Sequence, residues 1–148
     1  MGKFGQVMQS LILLIVRLVF GAGLMVRGLT RVMDGYQHYE PLLFTIGLPW
    51  PSIFYWGAVG LEIGGGALIA LGLLTRIVAA CLTAEFTMTI LWIHWWNGFH
   101  IANNGYEYAA VLVLLSLLLV AFGAGAVSID RLLFGRTKDP TDSVVAPV

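Results

Sequence analysis

Residues 53–74 read IFYWGAVGLEIGGGALIALGLL, an apolar run interrupted by one charged side chain, Glu62. A helix that crosses the hydrocarbon core of a bilayer needs about 20 such residues. A charged group near the centre of a span costs about 2.5–3.5 kcal/mol on insertion scales, so it is kept where it faces the protein interior and finds a partner. The same composition recurs over about 9–29 with Arg17 and Arg27, over 77–97 with Glu85 and His94, and over 106–126 with Glu107. The links at 72–76 and 98–105 are short, which makes consecutive helices neighbours of opposite direction. The expected fold class is therefore an all-α membrane protein, an antiparallel four-transmembrane-helix bundle.

Composition sets the same bounds. Of 148 residues, 59% are hydrophobic, against roughly 45–50% in soluble domains, and the mean hydropathy is +0.88. The formal net charge is zero and no block of like charge exists to hold nucleic acid. The lone Cys81 excludes a disulfide within the chain, a CxxC redox pair and a thiolate-built metal site. One domain is expected over 1–136, followed by a polar tail at 137–148. Lys3 precedes the apolar run that begins at Leu11, but no cleavage pattern follows it, so the segment is expected to be kept as the first span. Gln6 stands where myristoylation needs Ser or Thr.

Lys3, Arg76, Arg131, Arg136 and Lys138 fall on one side of the spans, and Arg31 with the rim residue Arg27 on the other. The excess of basic residues marks the cytoplasmic side, so both termini are expected there, in a plasma membrane. All five Trp and all five Tyr map near the opposite, outer side. Belts normally occur at both interfaces, and this asymmetry points to more than anchoring. In the first outer loop, Pro41 is read as opening a short interfacial helix, Leu42 to Ile46, that Gly47 caps and Pro49 and Pro51 stop.

Counting about 1.5 Å per residue gives two polar layers, an inner one of Arg17, Glu62 and Glu85 and an outer one of Arg27, His94 and Glu107. Gly60 and Gly64 bracket Glu62 as a GxxxG pair, while Arg17 shares a face with Gly21, Leu24 and Gly28. A close crossing there is expected to bring Arg17 to Glu62. Two arginines against three glutamates leave one carboxyl without a cation. Glu62, Glu107 and His94 are the candidate proton-handling residues, and Arg17, Arg27, Glu85, Trp56, Trp92 and Tyr106 the candidate ligand contacts. His94 is the one histidine within a span, which argues against bis-histidine haem, and His94 with Glu107 is too sparse for a metal site.

The chain resembles the DoxX family of small prokaryotic membrane proteins. The resemblance rests on the first span with Arg17 and the stretch Arg27 to Arg31, on Gly47 to Pro51, on Glu62 followed by Gly64 to Leu68, and on Gly72 to Arg76. It continues through His94, Gly98-Phe99, Gly105-Tyr106-Glu107, Gly123 to Gly125 and Ser128 to Asp130, nearly the whole chain. Arg27, Arg31 and Glu85 depart from the usual pattern. The resemblance implies a four-helix membrane protein linked to redox metabolism, an accessory subunit of a quinone-linked oxidoreductase with a redox protein partner or a further copy of itself. The expected ligand is a quinone, held at the outer aromatic mouth. Two other readings follow from the same residues: a scaffold or assembly factor without chemistry, and a pathway for protons or small solutes.

Overall fold

The computed structural model describes residues 3–125 and 128–129. Helix α1 runs Lys3–Asp34 and α2 Tyr36–Thr45. The second apolar run is one continuous rod built from α3 (Pro51–Gly60), a π-helical turn (Leu61–Gly65) and α4 (Gly66–Leu71). The third consists of α5 (Thr75–Thr89), a π-helical turn (Ile90–His94) and a 3₁₀ turn (Trp95–Asn97), and α6 runs Glu107–Phe122. No strand occurs among the described residues. Val7–Asp34, Pro51–Leu71 and Thr75–Asn97 are long and apolar enough to cross a membrane, and α6 is a shorter apolar helix. The expected polar tail at 137–148 and the domain limit at 136 lie outside the described residues.

Helix α1 lays one stripe against the second rod. Arg17, Phe20, Gly21, Leu24 and Gly28 are buried along it, the spacing of one helix face. The closest approach falls where side chains are missing: a methyl group on Gly66 would stand 2.7 Å from the Gly21 carbonyl oxygen, and one on Gly28 would stand 2.6 Å from Ile63. Gly60 and Gly64 have nothing within 4 Å and do not form the crossing. The reason is helical phase, since each stands two residues from Glu62, about 200° round the helix. The buried stripe of this rod is instead Tyr55, Val59, Glu62, Gly66 and Ile69.

Helices α5 and α6 pack on each other and complete the main core, in which Phe20, Leu24, Ile69, Leu82, Phe86 and Leu119 are enclosed. A second cluster forms where α2 covers the ends of α1 and α3, with Leu43, Tyr55 and Val59 at its centre. Helix α2 starts at Tyr36, five residues before the expected start at Pro41, and Pro41 lies within it. Proline there forfeits one intrahelical hydrogen bond, and the Tyr36 and Tyr39 rings packed on Tyr55, at 5.4 and 5.5 Å between centroids, hold the first turn in place. The end is as expected: Gly47 adopts φ 67°, with Leu48 N–H donating to Leu43 O and Gly47 N–H to Phe44 O. This paired arrangement closes helix ends at a left-handed glycine.

Candidate functional site

Glu62 is fully enclosed, and its Oε1 lies 3.1 Å from Arg27 Nε and 3.2 Å from Arg31 Nη1. Glu85 approaches from α5, with Oε1 at 3.9 Å from the same Arg31 nitrogen. Two guanidinium groups therefore face two carboxyl groups. Arg27 is further held over the Phe86 ring at 5.3 Å and the Tyr108 ring at 5.5 Å, positions at which an aromatic face attracts a cation. The pairing with the arginines is ionic without well-aligned hydrogen bonds, Arg27 Nη1 being buried with no acceptor, while the Glu62 and Glu85 carboxyl groups lie within hydrogen-bond reach of each other. Buried polar groups in that condition are uncommon and call for an explanation.

The expected pairing of Arg17 with Glu62 does not form. Arg17 is buried at the other end of the α1 stripe, fourteen residues or about 21 Å from Arg31. Its Nε donates to Ile69 O at 3.1 Å and its Nη2 to Ala70 O at 3.2 Å, while Nη1 donates to Ala124 O. These carbonyls lie at or just beyond the C-termini of α4 and α6, where backbone acceptors carry partial negative charge; Ile69 O also takes the Gly72 N–H at 3.0 Å. Arg17 thus caps helix ends, and Gly72, at φ 73°, makes room for its guanidinium. The two expected layers are regrouped accordingly. Arg27 joins Glu62 and Glu85, and Arg31, which was assigned to the outer side, becomes the cation shared between the two acids.

Above the cluster is a pocket of about 130 Å³, close to the roughly 150 Å³ cavity known to accept a benzene ring. Arg31 and Glu85 line it together with Phe54, Tyr55 and Trp92, α2 contributes Tyr39, Leu42 and Leu43, and Ile46 and Leu48 come from the turn that follows α2. Phe54 and Trp92 meet edge to face at 6.4 Å. Tyr55 is buried, and its hydroxyl donates to Arg31 O at 2.6 Å, fixing the backbone that carries the shared arginine. Tyr39 donates to Asp34 Oδ2 at 2.9 Å. Burial raises the Tyr39 phenol above its ordinary value, and the hydrogen bond to Asp34 adds to the rise.

The remaining sequence candidates lie elsewhere. Glu107 Oε2 accepts the Ile101 N–H at 3.1 Å, and His94 Nδ1 is 2.7 Å from Asn104 O. Both clasp the loop before α6, and neither lines the pocket. Tyr106 stacks on Trp95 at 5.9 Å between centroids, and Trp56 is 52% exposed, edge-on to Tyr55. Of the residues proposed from sequence, Glu62, Arg27, Glu85 and Trp92 are brought to one place. Arg31, Tyr39 and Tyr55 were missed. The signal for Arg31 was available, because it continues the series 17, 21, 24, 28 at the next helical step. Among the described residues no group of three or more potential metal ligands occurs.

The DoxX family model matches residues 12–95, which carry the α1 stripe, the second rod, Glu85 and Trp92. An uncharacterized protein of Haemophilus influenzae is 34% identical over 76 residues, 51% of this chain, and the match spans half of that relative's length. No solved structure matches.

Proposed function

This chain belongs to the DoxX family of multi-pass membrane proteins, and from that premise we propose that it binds a quinone-like apolar ring in the pocket beneath α2, as an accessory subunit of a quinone-linked redox system. The observation that carries this reading is the composition of the pocket: aromatic and aliphatic walls, a volume of ring size, and a charged floor of Arg31 and Glu85. Ligand sites combine apolar walls with a few convergent polar groups in this way. In this reading the four apolar helices cross a prokaryotic plasma membrane in alternating directions, with α2 lying at the outer interface and both termini in the cytoplasm. Phe54, Met88 and Trp92 are each 41–43% exposed, so the mouth between α3 and α5 opens toward lipid and suits a ligand that arrives from the bilayer. The oxidising or reducing partner is a separate redox protein.

The apolar layer of Phe20, Leu24, Ile69, Leu82 and Phe86 between Arg17 and the Arg31 cluster favours ligand binding over a continuous polar pathway. Equilibrium dialysis of the purified protein in detergent with a short-chain alkyl benzoquinone tests the proposal. Saturable binding above micelle partitioning, weakened in Phe54→Ala and in Arg31→Gln, is the expected result. Partitioning indistinguishable from empty micelles refutes it.

A further inference from the structure

The carboxyl oxygens of Glu62 and Glu85 are sealed from solvent, and no nitrogen or hydroxyl among the described residues donates a well-aligned hydrogen bond to them. What they reach is each other. Two carboxylates cannot form that hydrogen bond, because each only accepts; a protonated carboxyl group donates its O–H. Like charges in contact also resist joint ionisation, and a pair of acids then holds one proton between them. The side chains packed around the pair leave this arrangement in place. Arg27 and Arg31 on α1 are cations, while Tyr55 on α3 and Tyr39 on α2 give their hydroxyl protons to Arg31 O and Asp34 Oδ2. Tyr108 on α6 lies against Arg27. One shared proton leaves two guanidinium charges against a single carboxylate.

We propose that Glu62 and Glu85 share one proton, that their cluster with Arg27 and Arg31 therefore carries one positive charge, and that the pocket takes a ring bearing an ionised acid group set against Arg31. The assignment rests on the ring-binding reading above and narrows it. The charge that a ligand can reach from the pocket is the cation: Arg31 lines it with 19% of its side chain exposed, whereas the oxygens of both acids are buried behind it. Neither acid takes a well-aligned hydrogen bond from Arg31, so the planar fork of its guanidinium is open to a carboxylate or phenolate, the partners its geometry matches. The Trp92 indole on the same wall is a further donor, with no acceptor role to compete for a ligand proton. Apolar walls strengthen such a charge-assisted contact by excluding water.

Two measurements on the full chain in maltoside micelles test it. Infrared spectroscopy at neutral pH reads the proton, since exposed acids are ionised there. A carboxylic acid C=O band that shifts in heavy water, and that moves when glutamate is isotopically labelled at its side-chain carboxyl, is expected in wild type and should vanish in both Glu62→Gln and Glu85→Gln. No such band in wild type, or its persistence in either variant, overturns the shared proton. Should the variants fail to fold, the labelled wild type decides. Equilibrium dialysis then compares para-butylbenzoate with its neutral isostere para-butylbenzamide, each corrected for partition into empty micelles. A hydrogen bond to a charged group corresponds to about a tenfold to hundredfold change in affinity, so the benzoate is expected to bind wild type tighter by that factor. Arg31→Gln should bring the ratio close to one, and Arg31→Lys restore part of it. Equal affinities in wild type, a ratio that survives Arg31→Gln, or binding of the benzoquinone alone overturns the anion site while leaving ring binding intact. Binding of none of the three removes the ring-binding reading and this assignment with it.

Discussion

Replacing Glu62 by Gln, alone and together with each arginine, reads out which cation the buried acid is coupled to. Glu62 is completely enclosed, with Arg27 Nε at 3.1 Å and Arg31 Nη1 at 3.2 Å. Breaking a buried ion pair from one side costs about 3–5 kcal/mol. The lower end is expected, because the Arg27 and Arg31 side chains retain 20% and 19% exposure and Arg31 keeps Glu85 within 3.9 Å. In a double-mutant cycle, residues in direct contact show coupling of about 0.5–3 kcal/mol, whereas distant ones add within about 0.3–0.5 kcal/mol. Arg17 donates to Ile69 O, seven residues or about 10 Å along the rod from Glu62. The cycle of Glu62→Gln with Arg31→Gln should therefore give at least about 1 kcal/mol of coupling, and that with Arg17→Gln should be additive. Reversible unfolding in mixed micelles, followed by tryptophan fluorescence, supplies the four free energies of each cycle. A coupling of Glu62 to Arg17 as large as that to Arg31 refutes the assignment of Arg17 to helix capping.

Three further outcomes follow from the packing. Gly66→Ala should destabilise by about 1–3 kcal/mol through overpacking at the Gly21 carbonyl, while Gly64→Ala, in open space, should be neutral or gain up to about 1 kcal/mol from helix propensity; the same unfolding assay separates them. Tyr55→Phe removes the donor to Arg31 O and should cost about 1–3 kcal/mol, with ring ligand affinity falling in the dialysis assay as the arginine loses its fixed position. The raised Tyr39 phenol contributes stability that is fully present below the ordinary tyrosine value of about 10 and is lost as pH rises through the higher folded value. Ultraviolet difference titration should show Asp34→Asn bringing that ionisation to lower pH; an unchanged titration contradicts the Tyr39–Asp34 hydrogen bond.

Much of the architecture was legible because lipid-spanning helices have to be long, apolar and closed in their own hydrogen bonding. The runs quoted at 53–74 and 77–97 correspond to the second and third rods, and the left-handed glycines at 47 and 72 fall where helices end. Side-chain pairing was less legible. Depth counted in residues placed Arg17 and Glu62 in one layer, yet an arginine can also be satisfied by backbone carbonyls, which have no signature in sequence. Gly60 and Gly64 matched a spacing but lay on the wrong face, an error that the stripe Tyr55, Val59, Glu62, Gly66, Ile69 would have exposed. His94 and Glu107 stand beside aromatics at one end of the spans, but loop closure at 98–105 claims their hydrogen bonds. Tyr39 and Tyr55 resembled anchors in an interfacial belt, and their burial depends on α2 folding back over α3.

Photolabelling with an aryl-azide benzohydroquinone, followed by peptide mapping, tests the central claim most directly. Adducts are expected on the segments 39–48, 54–58 and 85–93 that line the pocket, and excess unlabelled hydroquinone should suppress them. Adducts confined to exposed apolar positions away from the pocket, such as Val19, Ile77 and Leu114, unaffected by that competitor, would contradict the account.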